Sequence, residues 1–136
     1  MPASPLPEDV RALLRQPNPA VMATVAADGR PVTVATWYLL TDDDQILLSF
    51  DSGRARLKHL RADPRVSVTA LAKDDWYTHV SVQGRVLSIE DDTDLRGTDR
   101  VARHYIGRAY PDRVRPRVVA VVEVNRWHGW GAVKPD

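Results

Sequence analysis

The chain has 136 residues, of which 43% are hydrophobic and 27% are charged, and these values are typical of one soluble domain with its own core. It contains no cysteine, which excludes disulfides, thiolate chemistry and cysteine-ligated metal sites. Its formal net charge is +1 and no apolar run approaches the length of a membrane span, so we expect neither a nucleic acid nor a membrane as its partner.

The first residues lack the basic start and the apolar run of a signal peptide, so we expect a cytoplasmic protein. We further expect a single domain over residues 1–136, with residues 1–6 as a flexible N-terminus. A short helix is predicted over residues 7–15, because Pro7 suits a first helical turn. Its apolar stripe, at helical spacing, consists of Val10, Leu13 and Leu14.

Strands and tight turns follow this helix. Residues 20–26, 31–40 and 45–50 are predicted strands, and the last of them ends close to a basic segment. The Asp28-Gly29 pair between the first two strands supplies the positive φ angles that a hairpin turn needs. The acids of residues 42–44 form the second turn.

A basic helix is predicted over residues 54–62, with Asp51 or Ser52 as its N-terminal cap. From Gly53 to Arg65 there are five basic residues and one acid. A helix N-terminus offers free N–H groups and a partial positive charge, and a guanidinium suits phosphate oxygens. This pattern predicts a phosphate site, against the alternative of a solvated basic helix face; its candidate residues are Ser49, Arg54, Arg56 and Lys58.

The rest of the chain is predicted to form two strands, a helix, a last strand and a short extension, over residues 66–71, 77–89, 93–106, 117–124 and 127–130. Gly84 indicates a bulge in a long strand, and Gly107 is typical of a helix C-terminus. The acids of residues 90–94 are interpreted as turn and helix-cap residues. Six strands with two or three short helices predict a mainly β fold, a closed antiparallel β-barrel without exposed edges.

The order of these patterns resembles the pyridoxamine 5′-phosphate oxidase-like split-barrel superfamily, and most closely its actinobacterial branch that uses the deazaflavin coenzyme F420. The resemblance covers about residues 8–130. It rests on residues 23–31, Trp37-Tyr38, Ser49, residues 53–67, residues 77–86 and residues 127–130. Two positions depart from the family pattern: Arg56 stands where the family usually has lysine, and His59 where it usually has asparagine.

The resemblance implies a split β-barrel homodimer with cofactor sites at the subunit interface. It implies coenzyme F420 as the cofactor, with FMN as the alternative, and hydride transfer to a small conjugated organic substrate. The cofactor phosphate is then expected at Arg54, Arg56 and Lys58, with Ser49 as a hydroxyl donor beside it. The cofactor ring is expected against the strands that hold Thr36, Trp37 and Tyr38.

The sequence carries none of the usual hydrolase, nucleotide-binding or metalloprotease motifs, which agrees with chemistry supplied by a bound cofactor. No catalytic residue is assigned; Tyr38, His79 or solvent would supply a proton. The four histidines lack metal-ligand spacing, so no metal is expected. Whether Trp76, His128 or the arginine-rich stretch 108–117 contacts the cofactor stays open.

Other functions stay open at this point. The same fold would serve an FMN-binding oxidase, a flavin carrier or a haem-binding protein. A non-enzymatic barrel that binds single-stranded nucleic acid would also use basic clusters and strand aromatics. The near-neutral charge and the concentration of arginine at one helix start favour the redox cofactor.

Overall fold

The computed structural model describes residues 6–133. Residues 1–5 of the expected flexible N-terminus lie outside this range, while Leu6 is buried in the core with 3% of its surface exposed. No helix among the described residues is long and apolar enough to cross a membrane. The elements in chain order are α1 (Glu8–Leu14), β1 (Ala20–Val25), β2 (Pro31–Thr36), β3 (Leu39–Leu40), β4 (Ile46–Asp51), α2 (Ala55–Ala62), β5 (Arg65–Ala72), β6 (Asp75–Asp91), α3 (Arg96–Ile106), β7 (Arg117–Trp130) and a final 3-10 turn (Gly131–Val133).

All the strands belong to one antiparallel sheet with the order β2-β1-β5-β6-β7-β4-β3. The edge strands β2 and β3 are separated by only two residues in the chain, Trp37 and Tyr38. Three Cα–Cα steps span at most about 11 Å, so the two edges of the sheet must lie side by side. The sheet is therefore rolled into a split barrel, and the predicted mainly β split-barrel fold is confirmed. The expected closure without exposed edges is wrong, because β2 and β3 end the strand order and do not pair with each other.

The interior of the barrel is one apolar core, built from α1, α2, the final turn and every strand except β2. β2 contributes no buried apolar side chain, because it is an edge strand with an exposed surface. The largest fully buried side chains include Tyr38, Phe50, Leu14, Met22, Ile46 and Leu48. Burial of each such side chain stabilises the fold by roughly 1.5–3 kcal/mol before the loss of conformational entropy.

The predicted strand over residues 31–40 is wrong, because the chain leaves the sheet at residues 37–38. The Tyr38 backbone N–H lies 3.4 Å from the Tyr105 hydroxyl instead of pairing with a strand, and the Thr36 hydroxyl donates to the Trp37 carbonyl at 2.8 Å. One long-range bond, to Tyr105, and one local bond, within residues 36–37, replace the ladder here. They allow the chain to cross from one edge of the sheet to the other.

Two helix starts also differ from the predictions. Helix α2 begins at Ala55 with Arg54 as its N-cap, and neither Asp51 nor Ser52 caps it through a side chain. Helix α3 begins at Arg96 and not at residue 93. The expected capping by the preceding acids is confirmed at two of them. The Asp92 carboxylate accepts the N–H groups of Gly97 and Thr98 at 3.2 and 2.7 Å, and the Asp94 carboxylate accepts the N–H group of Arg96 at 3.1 Å.

The bulge predicted at Gly84 is confirmed by a register shift between residues 83 and 84 of β6. Gly107 ends α3 with a φ of 72°, as the sequence indicates. The last strand is longer than predicted. It continues through the expected extension to Trp130, because this part pairs with the first half of β6.

Candidate functional site

A cavity of about 580 Å³ opens where the two edges of the sheet meet. Three segments build it: residues 17–20, the end of β2 with the link to β3, and the end of β4 with the start of α2. The α3–β7 loop (residues 107–116) and the start of β7 close the remaining side through Tyr110 and Arg117. A cavity of this size is typical of a site for a small ligand or cofactor.

Five of the seven residues predicted from the sequence line this cavity, namely Thr36, Trp37, Ser49, Arg54 and Arg56. The other two do not. Tyr38 has 0% of its surface exposed and lies in the core. Lys58 is exposed on α2 and lines grooves on other sides of that helix. The sequence did not identify Asn18, Lys73, Tyr105 and Tyr110 as lining residues, because segments distant in the chain bring them together.

Arg56 is a half-buried cation without a carboxylate partner among residues 6–133. Its guanidinium carbon lies 4.8 Å from the centre of the Phe50 ring. Its Nε atom is buried and has no hydrogen-bond partner in the described part of the chain. Burial, together with the positive charges of Arg54 and Arg117, lowers the pKa of Arg56. A buried unpaired donor is costly, so this position favours an anion from outside the chain.

The other arginines of the cavity are partly neutralised by Asp51, whose side chain is 14% exposed. Its carboxylate lies 3.3 Å from Arg54, 3.3 Å from Arg115 and 2.9 Å from Arg117. These contacts explain why the Asp51 side chain does not cap α2: its carboxylate binds arginines instead. The described lining contains four basic side chains against this one carboxylate, so the cavity is positively charged.

The hydroxyl of Ser49 has a defined set of partners. Thr98 donates its own proton to the Asp92 carboxylate at 2.6 Å, so in the 2.9 Å contact between Thr98 and Ser49 the donor is Ser49. The Ser49 oxygen also accepts two N–H groups of Arg117, at 2.9 and 3.3 Å. In this arrangement Ser49 has no proton left for a ligand, and its geometry serves to hold Arg117.

Aromatic rings form one wall of the cavity. Trp37 and Tyr105 stack with their ring centres 5.1 Å apart and an interplanar angle of 7°, and Tyr110 meets Trp37 edge-on at 6.4 Å. Arg117 lies over the Tyr110 ring at 4.4 Å. Burial raises the pKa of Tyr105 to about 12, and its hydroxyl donates to the Asn18 carbonyl at 2.7 Å. The parallel rings of Trp37 and Tyr105 therefore form the flat part of the wall, and the bond from Tyr105 to Asn18 holds this part in place.

The two side chains considered as proton donors do not line this cavity. The Tyr38 hydroxyl is buried and donates to the Gln16 carbonyl at 3.3 Å, and burial raises the pKa of Tyr38. A ring nitrogen of His79 lies 2.9 Å from the Tyr77 carbonyl, and its ring neighbours His128 at 6.3 Å. Trp76 is 73% exposed and is likewise not part of the lining.

Comparison with known proteins gives one family and several related folds. A family model described as pyridoxamine 5′-phosphate oxidase matches residues 6–131. Among solved structures, an F420 reductase is similar at 25% identity over 90% of this chain and 98% of its own, with a TM-score of 0.78. A conserved hypothetical protein from Mycobacterium tuberculosis is 24% identical over 92% of this chain and 84% of its own, with a TM-score of 0.73.

General Stress Protein 26 from Bacillus anthracis shares the fold at 16% identity, over 90% of this chain and 92% of its own, with a TM-score of 0.69. No curated protein sequence matches the chain significantly.

Proposed function

The chain belongs to the pyridoxamine 5′-phosphate oxidase family, and from this premise we propose that it is an oxidoreductase that binds coenzyme F420. In this proposal it transfers a hydride between the reduced deazaflavin and a small conjugated organic substrate. The observation that carries the proposal is Arg56, a half-buried guanidinium with an unpartnered Nε in a positively charged cavity.

The residues present fit the anionic end of such a cofactor. Arg56 and the more exposed Arg54 offer guanidinium donors at the start of α2, where the chain lacks a side-chain cap. Each charge-assisted contact to a phosphate contributes about 1.5–3 kcal/mol. Arg117 donates to both Ser49 and Asp51, so the part of these residues is to keep the wall of the phosphate site rigid.

The aromatic wall fits the planar part of the cofactor. Trp37 keeps 37% of its surface exposed while Tyr105 supports its ring from one side. A flat conjugated ring gains stacking energy on such a surface. When bound, the cofactor supplies the hydride chemistry, and the side chains of this protein bind and orient it. Because Tyr38 and His79 do not line the cavity, we assign the accompanying proton to water.

We also propose that the working form is a homodimer with the cofactor sites at its interface. The cavity adjoins the outer face of the sheet, because Ala35 lines the cavity and pairs with Val21 of β1. Val21 and Trp37 are both large apolar side chains that the single chain leaves more than a third exposed. A second copy on this face would enclose the cavity and supply further contacts to the substrate.

The direct test is a titration of the purified protein with oxidised F420 and with FMN, followed by fluorescence. We expect micromolar affinity for F420 and weaker binding of FMN. Arg56→Met keeps the packing on Phe50 but removes the charge, and should weaken binding about ten- to hundredfold. Lys58→Met, on the same helix but outside the cavity, is the matched control and should bind like the wild type.

Binding of neither cofactor below high micromolar concentration would refute the redox proposal. Equal affinity in Arg56→Met and the wild type would show that the anionic group lies elsewhere. Tighter binding of FMN than of F420 would favour the second candidate, an FMN-binding oxidase or flavin carrier, which the family match supports.

A further inference from the structure

Asp99 lies outside the cavity lining, yet it is tied to the cavity wall. It is near the start of α3 and only 8% exposed. One carboxylate oxygen accepts the backbone N–H of Tyr110 at 3.0 Å, and the two oxygens accept Arg113 at 2.6 and 3.2 Å. Arg113 also donates to the Tyr110 carbonyl at 3.1 Å, so both backbone polar groups of Tyr110 are held at this point.

Tyr110 in turn connects two groups of the cavity. Its ring meets Trp37 edge-on and lies under the guanidinium of Arg117. Its hydroxyl oxygen also accepts an N–H of Arg117 at 3.3 Å. A displacement of Tyr110 would therefore change the aromatic wall and the position of Arg117 together.

The rest of the α3–β7 loop is held at its ends. Gly107 donates to the Arg103 carbonyl at 3.0 Å, and Ser52 donates to the Pro116 carbonyl at 3.1 Å. Asp112 accepts N–H groups only within the loop. In the described chain Asp99 and Arg117 thus hold the middle of the loop at Tyr110, while Arg115 joins the last part of the loop to Asp51 of β4 at 3.3 Å.

We propose that Asp99 is a positioning residue of the ligand cavity, which sets its shape and affinity by holding Tyr110 without touching the ligand. This inference rests on the proposed cofactor binding. The side chain of Arg113 beside it lowers the pKa of Asp99, so the carboxylate is ionised at neutral pH, where both of its oxygens accept the Arg113 guanidinium. A carboxylate that is buried and fully paired in this way gives a rigid attachment.

The test compares Asp99→Ala with Asp94→Ala, which changes an acid just before α3 whose carboxylate, among the described residues, contacts Arg96 alone. Hydrogen exchange of the ligand-free proteins, measured by mass spectrometry, reports on the loop. We expect exchange of the loop peptide containing Tyr110 to be about tenfold faster in Asp99→Ala and unchanged in Asp94→Ala. F420 should bind about tenfold more weakly to Asp99→Ala alone.

Two further variants guard against a general loss of structure. Arg113→Gln changes a side chain that is 48% exposed, so it should fold normally while still loosening the loop. Asp99→Asn keeps an oxygen for the Tyr110 N–H, and should give exchange rates between those of the wild type and Asp99→Ala. If Asp99 served only to stabilise α3, the exchange rates of the loop would not rise in the order wild type, Asp99→Asn, Asp99→Ala.

Unchanged loop exchange in Asp99→Ala and Arg113→Gln would overturn the inference, and so would faster exchange with unchanged F420 affinity. A wild-type protein that bound neither F420 nor FMN would instead refute the proposed function, and with it the effect on affinity. In that case the exchange rates would still decide whether Asp99 holds the loop, so the two failures are distinguishable.

Discussion

Asp44 connects the turn before β4 to α1 through a bidentate ion pair. Its oxygens accept Nε and Nη2 of Arg11 at 2.8 and 2.6 Å, and both side chains are about four-fifths buried, with 19% and 18% exposed. Asp44 also has a φ of 60°, in the left-handed region that asparagine tolerates. Asp44→Asn therefore removes the charge without adding backbone strain.

We expect Asp44→Asn to lower the free energy of unfolding by about 1–2 kcal/mol in urea at pH 7. Asp28→Asn is the control, because its pair with Arg30 is largely exposed and contributes little. Arg11 lowers the pKa of Asp44, so the unfolded chain binds this proton more tightly. The difference between wild type and variant should be constant from pH 5 to 8 and shrink below about pH 4. A difference that did not depend on pH would contradict this account.

At single positions, the sequence indicates which side chains can bind a ligand better than it indicates which residues they contact in the fold. Neighbours on an extended chain face opposite sides, and the structure places Trp37 in the cavity and Tyr38 in the core, as that rule requires. The rule does not say which of the two faces the ligand. The sequence predicts Ser49 as a hydroxyl donor to a phosphate, but its proton is directed to Thr98, which lies 49 residues away in the chain. Only the tertiary structure reveals such a partner.

The bulge in β6 explains why a glycine stands in the middle of the longest strand. A Cβ at Gly84 would lie 1.6 Å from the backbone oxygen of Glu123 in β7, so backbone would have to move. We expect Gly84→Ala to lower the free energy of unfolding by more than about 2 kcal/mol. Gly53→Ala is the control, since nothing lies within 4 Å of its added methyl group. Urea denaturation of both variants measures the difference, and equal stabilities would show that the bulge adapts easily.

The sequence predicts the bounds of a helix or strand correctly where residues close in the chain determine them. The Asp28-Gly29 turn and the end of α3 at Gly107 depend on backbone angles of single residues, and both are found. The break after Thr36 depends on the Tyr105 hydroxyl, from another part of the chain. The extension of β7 to Trp130 depends on its pairing with His79 of β6. Long-range contacts of this kind override the local preference of the chain for strand or turn, so the sequence does not predict where β2 and β7 end.

For the whole molecule, the position of the cavity follows from the topology. A two-residue link between strands at opposite ends of the sheet order brings both edges together, and the cavity opens at this place. The basic cluster of residues 53–65 indicates part of the cavity, because two of its five basic residues, Arg54 and Arg56, line it. The other two lining cations, Lys73 and Arg117, come from segments that are distant in the chain. Of the aromatic wall the sequence predicts only Trp37, because Tyr105 and Tyr110 join it from other parts of the chain in the folded protein.

The centre of the outer face of β1, β5 and β6 lacks charged residue types, although 27% of the residues of the chain are charged. Its central side chains alternate with buried ones and so point away from the core, and none of them is an aspartate, glutamate, lysine or arginine. Charged residues that point to the same outer face lie at its ends, namely Arg65 at the start of β5 and Asp75 at the start of β6. The central residues are Val21, Ala23, Val25, Ser67, Thr69, Leu71, Tyr77, His79, Ser81 and Gln83.

Depletion of charge at the centre of a patch is typical of protein interfaces, so this face is where the proposed homodimer should form. Thr69 lies in its middle, between Val21 and Ser81 of the neighbouring strands. Sedimentation equilibrium should give the wild type twice the chain mass of 15.2 kDa, and Thr69→Arg a mass near 15.2 kDa. Val114→Arg, at a loop position that is 91% exposed, is the control and should remain dimeric. A wild type that sediments as a monomer at tens of micromolar would refute this interface. A dimeric Thr69→Arg variant would refute it too, because an unpaired guanidinium buried at the centre of the interface opposes association strongly.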